Sequence, residues 1–371
     1  MAITVGDIVE RVHELAPPAL AESWDNVGLL VGDPAQAVSI VLTALDADDA
    51  VLEQAAAHGA ELLVTHHPLL FTAQKRLVED GGVLSLARRL IREGRSLLAA
   101  HTNLDSAPRG LNWRLAELLG LRETKPLVPT EARPLLKLVV FVPATHAETV
   151  REAICAAGAG HIGEYRDCTF GASGTGTFRP LAGTTPFIGA PDTLERVAEI
   201  RLETVTPRAQ LPTVLAAMLA AHPYEEAAYD VIPLDNAWPG AGLGRIGVLA
   251  EPTTAAALLE RVRDALGTDR LALIGEPSTT VRAVALCAGA GGDFIEQARR
   301  AGADLYLTGE VKHGQALLAR ARGPVIIDAG HFATERPAVA VLAEYLTARF
   351  PELTVLRAEE RDPIARAPES A

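Results

Sequence analysis

The chain has 371 residues, of which 49% are hydrophobic, 22% charged and 4% aromatic, and its formal net charge is −13. That length supports two or three domains with sizeable cores. The acidic balance repels phosphate backbones and disfavours broad nucleic-acid binding, and no run of about 18 apolar residues is present to span a membrane.

The opening "MAITVGDIVERVHELAP" reads as an amphipathic helix rather than a signal peptide, because Asp7, Glu10 and Arg11 interrupt its apolar residues. From residue 39 the pattern is regular. "SIVLTALD" is a strand, "ADDAVLEQAAAHG" a helix and "AELLVTHH" a strand. "VLSLARRLIREG" is a helix, "RSLLAAHTNLD" a strand with its exit loop, and "LNWRLAELLG" a helix. Strands apolar throughout, alternating with helices, predict a three-layer α/β domain with a mostly parallel sheet.

The middle of the chain, residues 128–235, has a different rhythm. "KLVVFVP", "TVREAICAAGAG", "CTFGASGTGTFRP", "RLETVTP", "LPTVLAAMLAAHP" and "AAYDVIPL" follow one another. Strand–helix–strand–strand–helix–strand is the order of a ferredoxin-like α+β module. It is read as an insertion that leaves the α/β domain discontinuous, as residues 1–127 and 236–371. The α/β rhythm then returns. "TVRAVALCAG", "ADLYLTGE" and "PVIIDAGH" are strands, "FIEQARRAG" and "GQALLARARG" are helices, and "TERPAVAVLAEYLTARF" is the last helix.

The two halves of the α/β domain are weakly alike. "HGAELLVTHH" compares with "AGADLYLTGE", and "EGRSLLAAHTNLD" with "RGPVIIDAGHFATE". His101 and Asp105 are four apart, as are His331 and Glu335.

Ligands in such sheets sit beyond the carboxyl ends of the strands. His66, His67, Asp105, His331 and Glu335 all fall at such ends, on what is read as one edge of one sheet. Imidazole nitrogens and carboxylate oxygens suit borderline divalent metals. Neighbouring strand residues point to opposite faces. Two adjacent imidazoles therefore serve two ions more readily than one, at a strand end where Pro68 turns the backbone. Taken singly, each of these residues reads as a hydrogen-bonded loop residue or cap; the constellation is what points to metal. Nitrogen and oxygen donors without sulfur suit zinc, iron, manganese or nickel. His101 is assigned to orienting a ligand or meeting substrate. Glu310 is a candidate general base and Lys312 a candidate contact for an anionic substrate, against the alternative of a plain helix start. Trp24 is assigned to packing and His222 to a structural role. Cys155, Cys168 and Cys287 show no metal-type or disulfide-type spacing, which predicts a reducing, cytoplasmic setting.

"WDNVGLLVG", "THHPLLF", "HTNLD", "LTGEVKH" and "GHFATE" occur in this order. Together they resemble the dinuclear-metal-centre family related to the yeast NGG-interacting factor, also labelled GTP cyclohydrolase I type-two homologs. "GTGTFRPLAGTTPFIG" and "HPYEEAAYDVIPL" resemble the inserted domain of its longer bacterial members. The resemblance implies a two-metal site within a toroidal homo-hexamer. His66 and His67 match its paired histidines, Asp105 its bridging aspartate, and His331 and Glu335 its C-terminal ligands. The expected activity is metal-dependent hydrolysis of a phosphoester, nucleotide or cyclic amide, a small-molecule substrate that the resemblance does not name. The competing expectation is a non-catalytic, ring-forming scaffold that handles metal or regulates.

Overall fold

The computed structural model describes residues 2–79, 81–130, 135–163, 165–236, 238 and 240–364. Residues 131–134, in the opening of the segment read as an insertion, and the last seven residues lie outside this description. The chain divides into two compact units, residues 1–130 with 239–371, and residues 131–238. The strand Arg122–Pro129 pairs antiparallel with Gly242–Thr254 inside the first unit, so the division falls after this strand.

The first unit is α/β, with two sheets in place of the single one expected. In the first sheet the strands run Gly28–Val31, Ser96–Ala99, Leu62–Thr65, Ile40–Ala44, Thr354–Arg357. All neighbours are parallel except the edge strand Gly28–Val31. In the second the order is Ala272–Ile274, Val325–Asp328, Leu305–Thr308, Thr280–Leu286, Gly242–Thr254, Arg122–Pro129. Only its three middle strands are mutually parallel. Both sheets thus share one plan: an antiparallel edge strand, then the third, second and first strands of a parallel trio. The weak likeness of the two halves has this structural counterpart.

The largest core lies between the sheets. Val41, Leu62, Val64 and Leu98 from one sheet and Val284, Leu286, Leu305 and Ile327 from the other share it with helices Val5–Leu15, Leu111–Leu118, Ala255–Leu266 and Pro337–Arg349. The far face of the first sheet packs Leu42, Leu63 and Leu97 against Leu52 and Leu90 of helices Asp49–His58 and Val83–Arg92. The far face of the second packs Ala285, Tyr306 and Ile326 against Ala298 and Ala319 of helices Ile295–Arg300 and His313–Arg322. The expected three layers become five, because one helical layer serves two sheets. Strands buried on both faces need apolar side chains at every position, each contributing about 2 kcal/mol on burial. That is why "ELLV" and "RSLLA" show no alternation.

Local signals set the element ends. Thr4 and Asp7 cap helix Val5–Leu15 reciprocally: the Thr4 N–H donates to Asp7 Oδ2 at 2.8 Å and the Asp7 N–H to Thr4 Oγ1 at 3.3 Å. Asp48 accepts from the Val51 N–H at 2.8 Å, and Gly59 ends the same helix at φ +69°. No helix among the described residues is long and apolar enough to cross a membrane.

The second unit is a four-stranded antiparallel sheet in the order Thr169–Phe178, Glu195–Pro207, Leu135–Pro143, Tyr229–Pro233. Helices Ala147–Ala156 and Leu211–Ala221 complete the strand–helix–strand–strand–helix–strand order, with first and third strands adjacent, as in ferredoxin-like folds. Leu138, Val140, Val142, Ile154, Val214 and Met218 form its core. All three cysteines are free.

Candidate metal centre

The carboxyl ends of both parallel trios meet at one place. His66 and His67 follow strand Leu62–Thr65, and His101 with Asp105 follow strand Ser96–Ala99. His331 and Glu335 follow strand Val325–Asp328 of the other sheet. The donor set therefore comes from two sheets, not from one edge of one sheet. Neither half holds it alone. Each half adds a one-turn helix, Thr102–Ser106 and His331–Glu335, that brings a histidine and an acid four residues apart onto one face. Glu335 closes this short helix rather than opening the long helix Pro337–Arg349.

Four imidazoles are anchored from behind through Nδ1. His66 Nδ1 donates to the Ala100 carbonyl at 2.8 Å. His67 Nδ1 meets Asp46 Oδ1 at 2.9 Å, His101 Nδ1 meets Asp25 Oδ1 at 2.9 Å, and His331 Nδ1 meets Glu310 Oε1 at 2.8 Å. Each contact fixes a ring and leaves Nε2 as the remaining donor atom, the arrangement found behind metal-bound histidines. His67 Nε2 and His331 Nε2 both lie 2.8 Å from Glu335 Oε2. His66 Nε2 faces Asp105 Oδ1 at 3.6 Å, and both atoms are buried without a hydrogen-bond partner. Two ligands at about 2.1 Å around one tetrahedral ion are separated by about 3.4 Å, so this orphaned pair fits a shared cation.

Among the described residues two groups of donors are close enough for one ion: His66, His67 and His101, and His67, His331 and Glu335. They overlap at His67. His101, expected to orient a ligand or contact substrate, stands here as a donor beside His66 and His67. The rings of His66 and His101 are 5.2 Å apart and those of His67 and His101 5.3 Å.

The electrostatics follow from burial and pairing. Complete burial lowers the pKa of His66 to about 3. Burial works against protonation of His67 as well, but its bonds to Asp46 and Glu335 prevail and raise it to about 10. Glu335, helped by Glu310, raises His331 to about 9 despite burial. Glu335 itself is 4% exposed; burial opposes its charge, yet hydrogen bonds from His331 and His67 hold it well below the usual carboxylate range. Burial and the nearby Glu335 raise Asp105 well above that range. Gly289, at φ +62°, lets the backbone pass beneath Glu335: a Cβ there would lie 2.0 Å from Glu335 Oε1.

The outer acids Asp25 and Asp46 carry little sign of a site role in the sequence. Their only signal is position, one in the "WDN" turn and one closing "SIVLTALD". Asp25 also accepts from the Thr102 N–H at 3.0 Å and from its hydroxyl. Glu310 occupies the place in the second trio that His67 occupies in the first, and its contact orients His331. Lys312 is exposed at the start of helix His313–Arg322. With Glu310, Arg270 and Gln315 it lines a cavity of about 360 Å³. Trp24, assigned to packing, is 56% exposed instead; its ring lies 5.6 Å from that of Phe71 and 6.1 Å from that of His101. Trp24 lies on a turn ahead of strand Gly28–Val31 and stacks on Phe71 rather than entering the core.

A family model described as Duf34/NIF3 (NGG1p interacting factor 3) matches residues 3–363. A relative from Halalkalibacterium halodurans named GTP cyclohydrolase 1 type 2 homolog is 41% identical over 332 residues, 89% of each chain. A Mycobacterium tuberculosis relative of the same name is 41% identical over 354 residues, 94% of this chain and 93% of its own. The crystal structure of a Bacillus cereus protein related to NIF3 aligns with a TM-score of 0.86 at 38% identity, covering 99% of this chain and 100% of that one. The chain belongs to the Duf34/NIF3 family.

Proposed function

We propose that the centre holds two divalent cations and that the protein is a metal-dependent hydrolase of a small anionic substrate, a phosphoester or nucleotide before a cyclic amide. The observation that carries this reading is the pair of donor groups overlapping at His67, with His66 Nε2 and Asp105 Oδ1 buried and unpaired beside them. When bound, such cations polarise a phosphoryl or carbonyl oxygen and make a water nucleophilic near neutral pH. Donors limited to nitrogen and oxygen suit zinc, iron, manganese or nickel.

The protein's own groups have separable tasks. Nε2 atoms of His66, His67, His101 and His331, with the carboxylates of Asp105 and Glu335, form the donor set. Asp46, Asp25, Glu310 and the Ala100 carbonyl hold the rings in place. Lys312 and Arg270, in the cavity beside Glu310, offer positive charge to a substrate phosphate. Trp24 and Phe71 expose an aromatic surface beside His101, which favours a substrate carrying a planar ring. A toroidal homo-hexamer belongs to the same proposal and rests on the family resemblance; light scattering on the purified protein tests it.

The decisive experiment pairs elemental analysis with a phosphoester and nucleotide screen on wild type and Asp105→Ala. Wild type binds divalent cations and loses turnover on chelation; Asp105→Ala loses at least one ion. A centre that stays empty under saturating zinc and manganese refutes the reading. Metal-dependent assembly without any turnover favours the scaffold instead.

A further inference from the structure

Three motifs of the second unit have no part in the metal centre: "GTGTF", "PFIG" and "HPYEE". They converge on one cavity of about 420 Å³. Its walls include the rings of Phe141, Phe178, Phe187 and Tyr224. Phe178 meets Tyr224 edge to face at 5.5 Å, and Phe187 lies 6.4 Å from the same ring.

One acid is built into this aromatic wall. Glu199 is only 8% exposed, on strand Glu195–Pro207. The Tyr224 hydroxyl donates to its Oε1 at 3.0 Å. Its other oxygen, Oε2, lies over Gly176, where a Cβ would come within 1.9 Å. Glycine at 176 is therefore what admits the carboxylate. Tyr224 is itself fixed from behind. Its N–H donates to His222 Nδ1 at 3.1 Å, and His222 Nε2 donates to the Phe141 carbonyl at 3.0 Å. His222 is structural, and what it supports is this wall.

Charge decides the ligand class. Among the described residues the lining carries Glu199, Glu225 and Glu226 and no lysine or arginine. Arg201, two residues along from Glu199, is paired with Glu203 at 2.8 Å. An anion would be repelled, and a neutral apolar molecule would leave Glu199 Oε2 without the donor that a cation supplies. Aromatic faces and a carboxylate together attract a cation with an apolar body.

We propose that this cavity binds a small organic cation, a protonated amine on an aromatic or apolar body, whose ammonium donates to Glu199 Oε2 between the rings of Phe178, Phe187 and Tyr224. The site lies wholly within residues 131–238 and does not depend on the metal centre.

The test is titration of the full chain with phenethylamine and tryptamine, with phenethyl alcohol as the neutral control, read by calorimetry and by tyrosine fluorescence. The amines bind saturably at one site per chain, at least about tenfold more tightly than the alcohol. Glu199→Gln weakens amine binding about tenfold or more and leaves the alcohol unchanged. Phe187→Ala, on the half-exposed rim and so tolerant to folding, weakens both. Asp105→Ala changes neither. Absence of saturable amine binding, equal affinity for amine and alcohol, or indifference to both Glu199→Gln and Phe187→Ala in samples with wild-type circular dichroism overturns the proposal.

Discussion

Cation binding at the centre must expel protons. In the cation-free protein at about pH 7, His67 and His331 both carry a proton, because their pKa values are about 10 and about 9. A divalent ion needs both imidazoles neutral. Removing the proton from His67 at pH 7 costs about 4 kcal/mol at 1.36 kcal/mol per unit. His331, one-third exposed, adds less than its shift suggests because solvent screens the pair. The expected release is about two protons per centre, one from each of these imidazoles. Apparent affinity therefore rises by about two log units per pH unit from pH 7 to 9, and by about one from 9 to 10. The sign is opposite for the cation-free fold. Groups with raised histidine pKa values stabilise it fully below about pH 6.5, and that stability is lost as pH rises through 9 to 10. Calorimetric titration with manganese in buffers of different ionisation enthalpy counts the protons directly. A release below one proton per centre would refute the assignment of His67 and His331 as cation donors paired through Glu335.

Asp105→Asn removes a carboxylate that has no hydrogen-bond partner at Oδ1 and is disfavoured by burial. The chelated variant is expected to melt at or above the wild-type temperature, while stabilisation by added cation disappears; a chelated variant melting several degrees lower contradicts this. Gly289→Ala puts a methyl onto Glu335 Oε1 and a side chain at φ +62°, costing about 1–3 kcal/mol. It should lower bound metal while circular dichroism stays native. Arg245 is 2% exposed and donates to the carbonyls of Gly240, Gly242, Gly244, Ala107 and Pro108. Arg245→Met leaves these acceptors without a donor beside the segment that follows Asp105. A loss of about 3–5 kcal/mol in denaturant unfolding of the first unit is expected. Between pH 6.5 and about 3 the cation-free protein should lose stability, because buried His66 stays neutral at a pKa of about 3 while the unfolded chain takes up the proton. A His66→Gln variant should show a flatter acid limb over that window.

Much of this was written in local sequence. Strands buried on both faces must be apolar throughout, so "ELLV", "SLLA" and "LYLT" announced themselves, as did the helices between them. Adjacent histidines after an apolar run, and acids four residues beyond His101 and His331, marked strand exits where side chains leave the core. Those signals are short-range, set by period and by the change of backbone direction. What the chain could not display is which exits meet. The strands divide into two sheets that share one helical layer, and that depends on packing across residues far apart in sequence. Only this arrangement brings Glu335 between His67 and His331, makes Asp25 and Asp46 partners of His101 and His67, and leaves Trp24 outside. Residues 242–274 form two strands and a helix that no repeat in the sequence marks. In the second unit, "GTGTF" lies in the strand Thr169–Phe178, and only tertiary contact shows Gly176 making room for Glu199. A carboxylate's neighbours are set by the fold, since its field acts through space rather than along the chain.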